Sequence, residues 1–363
     1  MNTLLDLYAD FLQVTFGSAT ATGLSEMVDG QVSHDQVTRL LSSKSWDSRD
    51  LWLTVKKLVR AHESEDACLI FDDTVIEKPH TDESELVCWH FDHSKNRLVK
   101  GINFLSTFYH SQRTGDPVPL RIPIGFEPIL KPVCFLDEKT GQTKRKSEIT
   151  KNELLRNQFK QCLTNQVLFR YVLADSWFAS NDNMRFIHKK KKIFIFDMKN
   201  NRMAATSDED RNRGYWRRID QLNLQPNTPV QVWLKDLNIP VLLVKHVFTN
   251  KDASTGERYL VSNDLELDND RFATLYQKRW SVEEYHKSLK QNTAAAKSPT
   301  RTTRTQNNHL FASILAYTKL EKIKFASSMN HFAIKSKLYM VAIKAAFKEL
   351  KKLKNQLELQ PTA

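Results

Sequence analysis

ACLIFDD, residues 67–73, runs five apolar residues straight into two carboxylates. An apolar run of this length, rich in branched and aromatic side chains, reads as a strand covered on both faces. An acid that closes such a strand is either capping something or binding something. The pattern returns in LFRYVLADSWF (168–178), where YVLA leads into Asp175. Between the two, KGINFLSTFYH (100–110) and DPVPLRIPIGF (116–126) read as further strands with turn chemistry between them. SEITKNELLRNQFKQCLTNQ (147–166) reads as a helix, and NDNMRFIHKK as a short helix ahead of a fifth strand, KIFIFDM (192–198).

Three strands, helix, strand, helix, strand is the order of a ribonuclease-H-like α/β core, a mixed sheet with helices on its faces. In that topology the first and fourth strands are neighbours, so Asp72 and Asp175 meet at one edge of the sheet. Residues 1–62 read as a helical region. In SHDQVTRLLSSKSW, Ser33 is placed as an N-cap, with Val37, Leu40 and Leu41 following at helical spacing. This helix, which carries Arg39, reads first as a packing helix and second as a DNA-recognition helix. The core is then expected in two parts, 63–198 and 265–328. A β-rich insertion over 199–264 separates them, carrying the strand-like pieces PVQVWLKDL, IPVLLVKHVF and RYLVSND. A basic helical region, 329–363, closes the chain.

Composition bounds the function. The chain has 363 residues and is 40% hydrophobic and 26% charged, the balance of a folded protein. No apolar run is long enough to span a membrane. The acidic N-terminal stretch lacks a basic leader, and the four cysteines form no CxxC pair, so a cytoplasmic protein with free thiols is expected. Lys and Arg number 54 against 42 Asp and Glu, a formal net charge of +12. That excess points to a polyanionic partner, nucleic acid before membrane.

YQKRWSVEEYHKSLK (276–290) spaces Tyr276, Arg279, Glu283 and Lys290 three, four and seven residues apart. On one continuous helix, at about 100° per residue, all four fall within about 60° of each other. Leu275, Val282 and Leu289 repeat every seven residues and would anchor this helix in a core. Two strand-end aspartates and a glutamate on a facing helix suit metal-assisted phosphoryl transfer, in which two Mg²⁺ ions about 4 Å apart hold the attacking and leaving oxygens. Hard carboxylate oxygens favour Mg²⁺ or Mn²⁺ over Zn²⁺.

Asp, Asp and then Y-x2-R-x3-E-x6-K resembles the signature of the cut-and-paste DDE transposases of bacterial insertion sequences. FDDT resembles the first-aspartate motif and LADSWFAS the second, and the likeness runs from about residue 65 to about 325. It implies that Asp72, Asp175 and Glu283 are catalytic and hold two Mg²⁺ or Mn²⁺ ions. It implies that Tyr276, Arg279 and Lys290 contact phosphates of double-stranded DNA, both the transposon's terminal inverted repeats and target DNA. It also implies a homodimer in a synaptic complex and a nucleoid-associated place in a bacterial cytoplasm.

Several alternatives stay open. FDDT offers Asp73 as the ligand or as a partner supporting it. The family often passes through a DNA hairpin with a flipped base stacked on an aromatic of the insertion. Trp216 and Trp233 are candidates for that role, and no motif chooses between them. RNRGYWRR (211–218), with Arg217, interleaves arginine and aromatics as nucleic-acid contacts do. HKKKK (188–192) reads as an exposed lysine run. CWHFDH groups Cys88, His90 and His93 without the second ligand pair that zinc would need. Trp177 and Phe178 are expected to pack beside Asp175. The rivals to a transposase are a metal-dependent nuclease on the same fold, and an inert end-binding repressor.

Overall fold

The computed structural model describes residues 3–92, 95–250 and 252–358, so His93 lies outside the described residues. The chain opens with helices α1 (Thr3–Val14), α2 (Ala21–Met27), α3 (His34–Ser43) and α4 (Ser48–His62). Strands β1 (Cys68–Glu77), β2 (Val87–Asp92), β3 (Arg97–Ser111) and β4 (Leu120–Pro128) follow, then the hairpin β5 (Val133–Asp137) and β6 (Gln142–Lys146). Next come α5 (Lys151–Thr164), β7 (Tyr171–Ala174), α6 (Asn181–Lys189) and β8 (Ile193–Met198). The segment after β8 forms β9 (Met203–Ala205), α7 (Asp208–Arg213), β10 (Arg217–Arg218), β11 (Val230–Leu234), β12 (Pro240–Thr249) and β13 (Thr255–Ser262). Helices α8 (Asn269–Gln277), α9 (Trp280–Asn292), α10 (Thr303–Ser327) and α11 (His331–Glu358) complete the described chain.

The described residues fall into two compact units, one made of Asp47–Glu284, the other of the residues up to Trp46 with those from Tyr285 on. The first is built on an 11-stranded mixed sheet in the order β10-β9-β11-β12-β13-β8-β7-β1-β3-β2, with β4 paired to β3. Its middle is parallel: β1 pairs β7 and β7 pairs β8. Its flanks are antiparallel, β3 on β1 and β13 on β8. Cys68–Phe71 and Tyr171–Ala174 are buried along their whole length, as parallel strands covered on both faces must be. The expected mixed α/β architecture is therefore present. The strands of 199–264 extend this same sheet through the β13–β8 ladder.

Two local features fix the helices against the sheet. Thr150 caps α5 through a capping box with Glu153, an arrangement worth about 1 kcal/mol. Ser48, at the start of α4, donates to the Phe126 carbonyl at 2.6 Å and accepts from the Phe126 N–H, tying the helix to β4. Gln158 of α5 donates to the same Ser48 hydroxyl at 3.2 Å and to Glu127 at 3.1 Å. Gly101 of β3 sits where a Cβ would lie 2.2 Å from the Ile76 carbonyl oxygen, so only glycine lets β3 approach β1 there.

The second unit is helical. α10 is buried on nearly every side from Thr305 to Leu320, as a central helix is. Trp46 stacks on Phe311 at 5.5 Å, and Tyr8 shares a 2.9 Å hydrogen bond with His309. Asn308 donates to the Leu41 and Lys44 carbonyls, closing the end of α3. Ser33 caps α3 through a capping box with Gln36. Val37, Leu40 and Leu41 are buried in α3.

Candidate functional site

The carboxylates come together because the sheet brings them together. β1 and β7 run parallel with Phe71 opposite Ala174, so the next residues, Asp72 and Asp175, stand side by side. β1 does not stop at its acids: it continues five residues further, to Glu77, and Asp72 and Asp73 lie inside the strand. Pairing with β3 carries it on, Asp72 facing Ser106 and Asp73 facing Leu105. Asp175 does end its strand, and its loop is pinned. Its Oδ1 accepts the Trp177 N–H at 3.0 Å, and the buried Asn183 amide of α6 donates to the Phe178 carbonyl at 2.9 Å.

A third aspartate extends the row. Ala174 pairs with Phe196 of β8, which places Asp197 level with Asp175 and Asp72. The sequence reading passed over it, although IFIF before Asp197 repeats the pattern of CLIF before Asp72 and YVLA before Asp175.

Glu283 and Arg279 complete the centre, and here the local structure departs from a single helical stripe. α8 ends at Gln277 and α9 begins at Trp280. Three-residue hydrogen bonds, Arg279 to Tyr276 and Ser281 to Lys278, tighten the junction. Tyr276 therefore lies in the last turn of α8, Arg279 in the junction and Glu283 in the first turn of α9. Arg279 is 7% exposed. One of its terminal nitrogens donates to Glu283 Oε1 at 2.5 Å and the other stands 3.9 Å from Asp72 Oδ2. Its guanidinium lies over the rings of Tyr276, at 5.5 Å, and Trp280, at 5.7 Å. Lys290 lies further along α9, in the helical unit.

Burial and crowding of like charges govern the electrostatics. Asp72 is pushed up to about 8, first by burial and then by Asp175, with Arg279 acting in the opposite direction. Asp175 is raised by burial, against the pull of the Trp177 N–H. Asp197 is raised by burial and drawn back by Arg258, 3.8 Å away. Burial opposes the Arg279 charge, yet Tyr276, Asp72 and Glu283 hold its pKa above the usual value.

As they stand, no three His, Cys, Asp or Glu side chains among the described residues are gathered closely enough to hold a metal ion. The donor chemistry nonetheless fits a hard divalent cation at Asp72 and Asp175. These are adjacent half-buried carboxylates whose affinity for protons is raised first by desolvation and, at Asp72, also by the neighbouring Asp175, a cost that a cation would relieve. Glu283 joins them as a donor only by giving up Arg279, whose guanidinium now supplies the positive charge between Glu283 and Asp72.

The other candidates are placed as follows. Asp73 pairs with Lys151 at 2.7 Å. Tyr276 is 3% exposed, and its hydroxyl is buried without a hydrogen bond among the described residues. It borders a cavity of about 380 Å³ that Phe248, Arg258 and Trp280 also line. Trp280 and Phe248 are 49% and 41% exposed, and no motif singled them out. Trp233 is buried in β11, Trp216 is half-buried and Arg217 is exposed on β10, the end strand of the sheet, six strands from β7. Arg39 is exposed on α3. Phe178 is buried, whereas Trp177 is 48% exposed. Cys88 and His90 are buried partners, 3.3 Å apart on β2.

A half-buried pair of aspartates at the parallel centre of a mixed sheet, faced by a helix-borne glutamate, is an arrangement suited to nucleic-acid phosphodiester chemistry. The sequence model of the DDE superfamily endonucleases matches residues 3–230, more than half of the chain, and the chain belongs to that family. The matched span contains Asp72 and Asp175 and ends before Glu283. No curated protein matches the chain.

Proposed function

We propose that the chain is a DNA transposase of the bacterial insertion-sequence kind. It cuts and joins phosphodiesters at the terminal inverted repeats of its own element, using Asp72, Asp175 and Glu283 as the catalytic acids. The observation that carries this reading is the in-register Asp72–Asp175 pair with Arg279 and Glu283 set against it. When bound, two Mg²⁺ or Mn²⁺ ions would supply Lewis-acid activation of water, and later of a 3′-hydroxyl, while neutralising charge on the phosphate. Asp72 and Asp175 hold their carboxylates in place through the β1–β7 ladder, with Trp177 and Phe178 orienting Asp175. Arg279, stacked between Tyr276 and Trp280, is a permanent cation that can pass from Glu283 to a phosphate oxygen. That exchange would free Glu283 as the third ligand only when DNA arrives.

The finer parts of the reading have separate support. Excision through a hairpin with a flipped base suits the cavity beside Tyr276, where Trp280 and Phe248 offer aromatic surface to a planar ring. A homodimer suits α11, which leaves Ile343, Phe347, Leu350 and Leu353 exposed at spacings of three and four residues. Lys290 and the basic end of the chain would add phosphate contacts.

The family's endonuclease description also favours a second reading, a nuclease on this fold that cuts and never joins. The two separate on a denaturing gel. Purified protein with Mg²⁺ or Mn²⁺ and linear DNA carrying the element's ends should give end-specific nicks followed by fold-back or joined products, all absent in Asp175→Ala. Nicks without joining would favour the nuclease. Binding without any cut, under either metal, would leave a repressor.

A further inference from the structure

Beside the carboxylates, the indole of Trp177 lies within reach of two ammonium groups. Lys151 Nζ lies 5.3 Å from the centre of its indole and Lys199 Nζ lies 5.4 Å from it, both within cation–π range. The three residues come from different elements: Lys151 opens α5, Trp177 follows β7 and Lys199 follows β8. The fold must therefore be complete before they meet. The indole is 48% exposed, although its backbone N–H is tied to the Asp175 carboxylate. Lys151 also reaches Asp73 Oδ2 at 2.7 Å, so one end of the group rests on β1 directly beside Asp72.

We propose that Lys151, Trp177 and Lys199 form a phosphate clamp that grips the DNA backbone next to the cut, with Trp177 as a positioning residue that fixes the two ammonium groups. This rests on the DNA-cutting reading and adds to it a binding site independent of Arg279 and Lys290. A lysine ammonium at the end of a flexible chain loses rotamer freedom when fixed. Resting both on one indole before DNA binds reduces that loss and keeps two positive charges beside carboxylates that would otherwise repel a polyanion. Asp73 holds Lys151 back from Asp72, and an arriving phosphate can share that ammonium without displacing the acid.

The test is equilibrium binding of the full chain to a fluorescein-labelled duplex of the element's terminal sequence, in EDTA so that nothing is cut, over a range of salt. Each phosphate contact contributes about 0.9 to the slope of log affinity against log salt. Lys151→Gln with Lys199→Gln should lower that slope by about 2 and weaken binding about tenfold near physiological salt. The matching pair of Lys→Arg changes should retain the slope. Trp177→Ala should weaken binding about threefold and Trp177→Phe should restore most of it, because a phenyl ring still attracts ammonium. A double Gln variant with wild-type slope and affinity overturns the clamp and leaves the DNA-cutting reading standing. A wild-type chain that does not bind the duplex overturns both.

Discussion

At the scale of single residues, the site is a balance of opposed charges around Asp72, Asp175, Arg279 and Glu283. Asp72 keeps its proton up to about pH 8, chiefly because it is buried, then because Asp175 stands beside it. The sign of the consequence is definite. The folded chain holds this proton more tightly than the unfolded chain, whose aspartates titrate near 3.8. The stabilisation is therefore complete below that value, declines as pH rises and is gone above about 8. Asp72→Asn, which resembles the protonated acid at every pH, should remove that decline. In metal-free buffer the melting temperature of the wild type should fall relative to the variant between pH 5 and pH 8, and Mg²⁺ should restore the wild type alone. Parallel melting curves across that range would refute the buried-acid account of Asp72. Arg279 completes the balance from the other side: it stays charged while nearly out of water, because Tyr276, Asp72 and Glu283 offset the cost of its burial.

At the scale of elements, three parallel strands end their apolar runs at one level and so present Asp72, Asp175 and Asp197 as a row. That level depends on close contact between β1 and β3, where Gly101 faces Glu77 and leaves no room for a Cβ beside Ile76. Gly101→Ala should cost about 2 kcal/mol, read as a lower urea midpoint at unchanged slope. A variant as stable as the wild type would mean that the strands can part there without loss. The strands bearing the first two aspartates were legible because continuous apolar runs leave little choice but a covered strand. β2 was not named in the sequence reading, which weighed CWHFDH only as a possible metal-ligand group, although the alternation of buried Cys88 and His90 with exposed Trp89 and Phe91 is that of a half-buried strand. The break between α8 and α9 was also hidden. Neither Gly nor Pro marks it, so helical periodicity ran unbroken from Tyr276 to Lys290 although Arg279 sits in a tight turn. That the strands after β8 extend the sheet depends on the β13–β8 pairing, a contact between distant segments that no local pattern encodes. Asp197 was legible and overlooked. Its strand repeats the pattern of the other two, an apolar run, IFIF, leading directly into an acid.

At the scale of the whole molecule, a net charge of +12 and membership of the DDE superfamily endonucleases both point to DNA as the substrate. Among the described residues no helix is long and apolar enough to cross a membrane. The acids proposed as catalytic lie in β1, just after β7 and in α9, elements far apart in the chain, so they meet only once the sheet unit has folded around its parallel centre. The central claim is that Glu283 acts with Asp72 and Asp175 in one cutting site. It is tested most directly by comparing wild type and Glu283→Gln for binding and cutting of the same terminal DNA, with Mg²⁺ present. Glu283→Gln is expected to bind the DNA within about threefold of wild type, about 0.6 kcal/mol or less, and to make no detectable cut. Cutting at the wild-type rate by Glu283→Gln would contradict it and remove α9 from the chemistry.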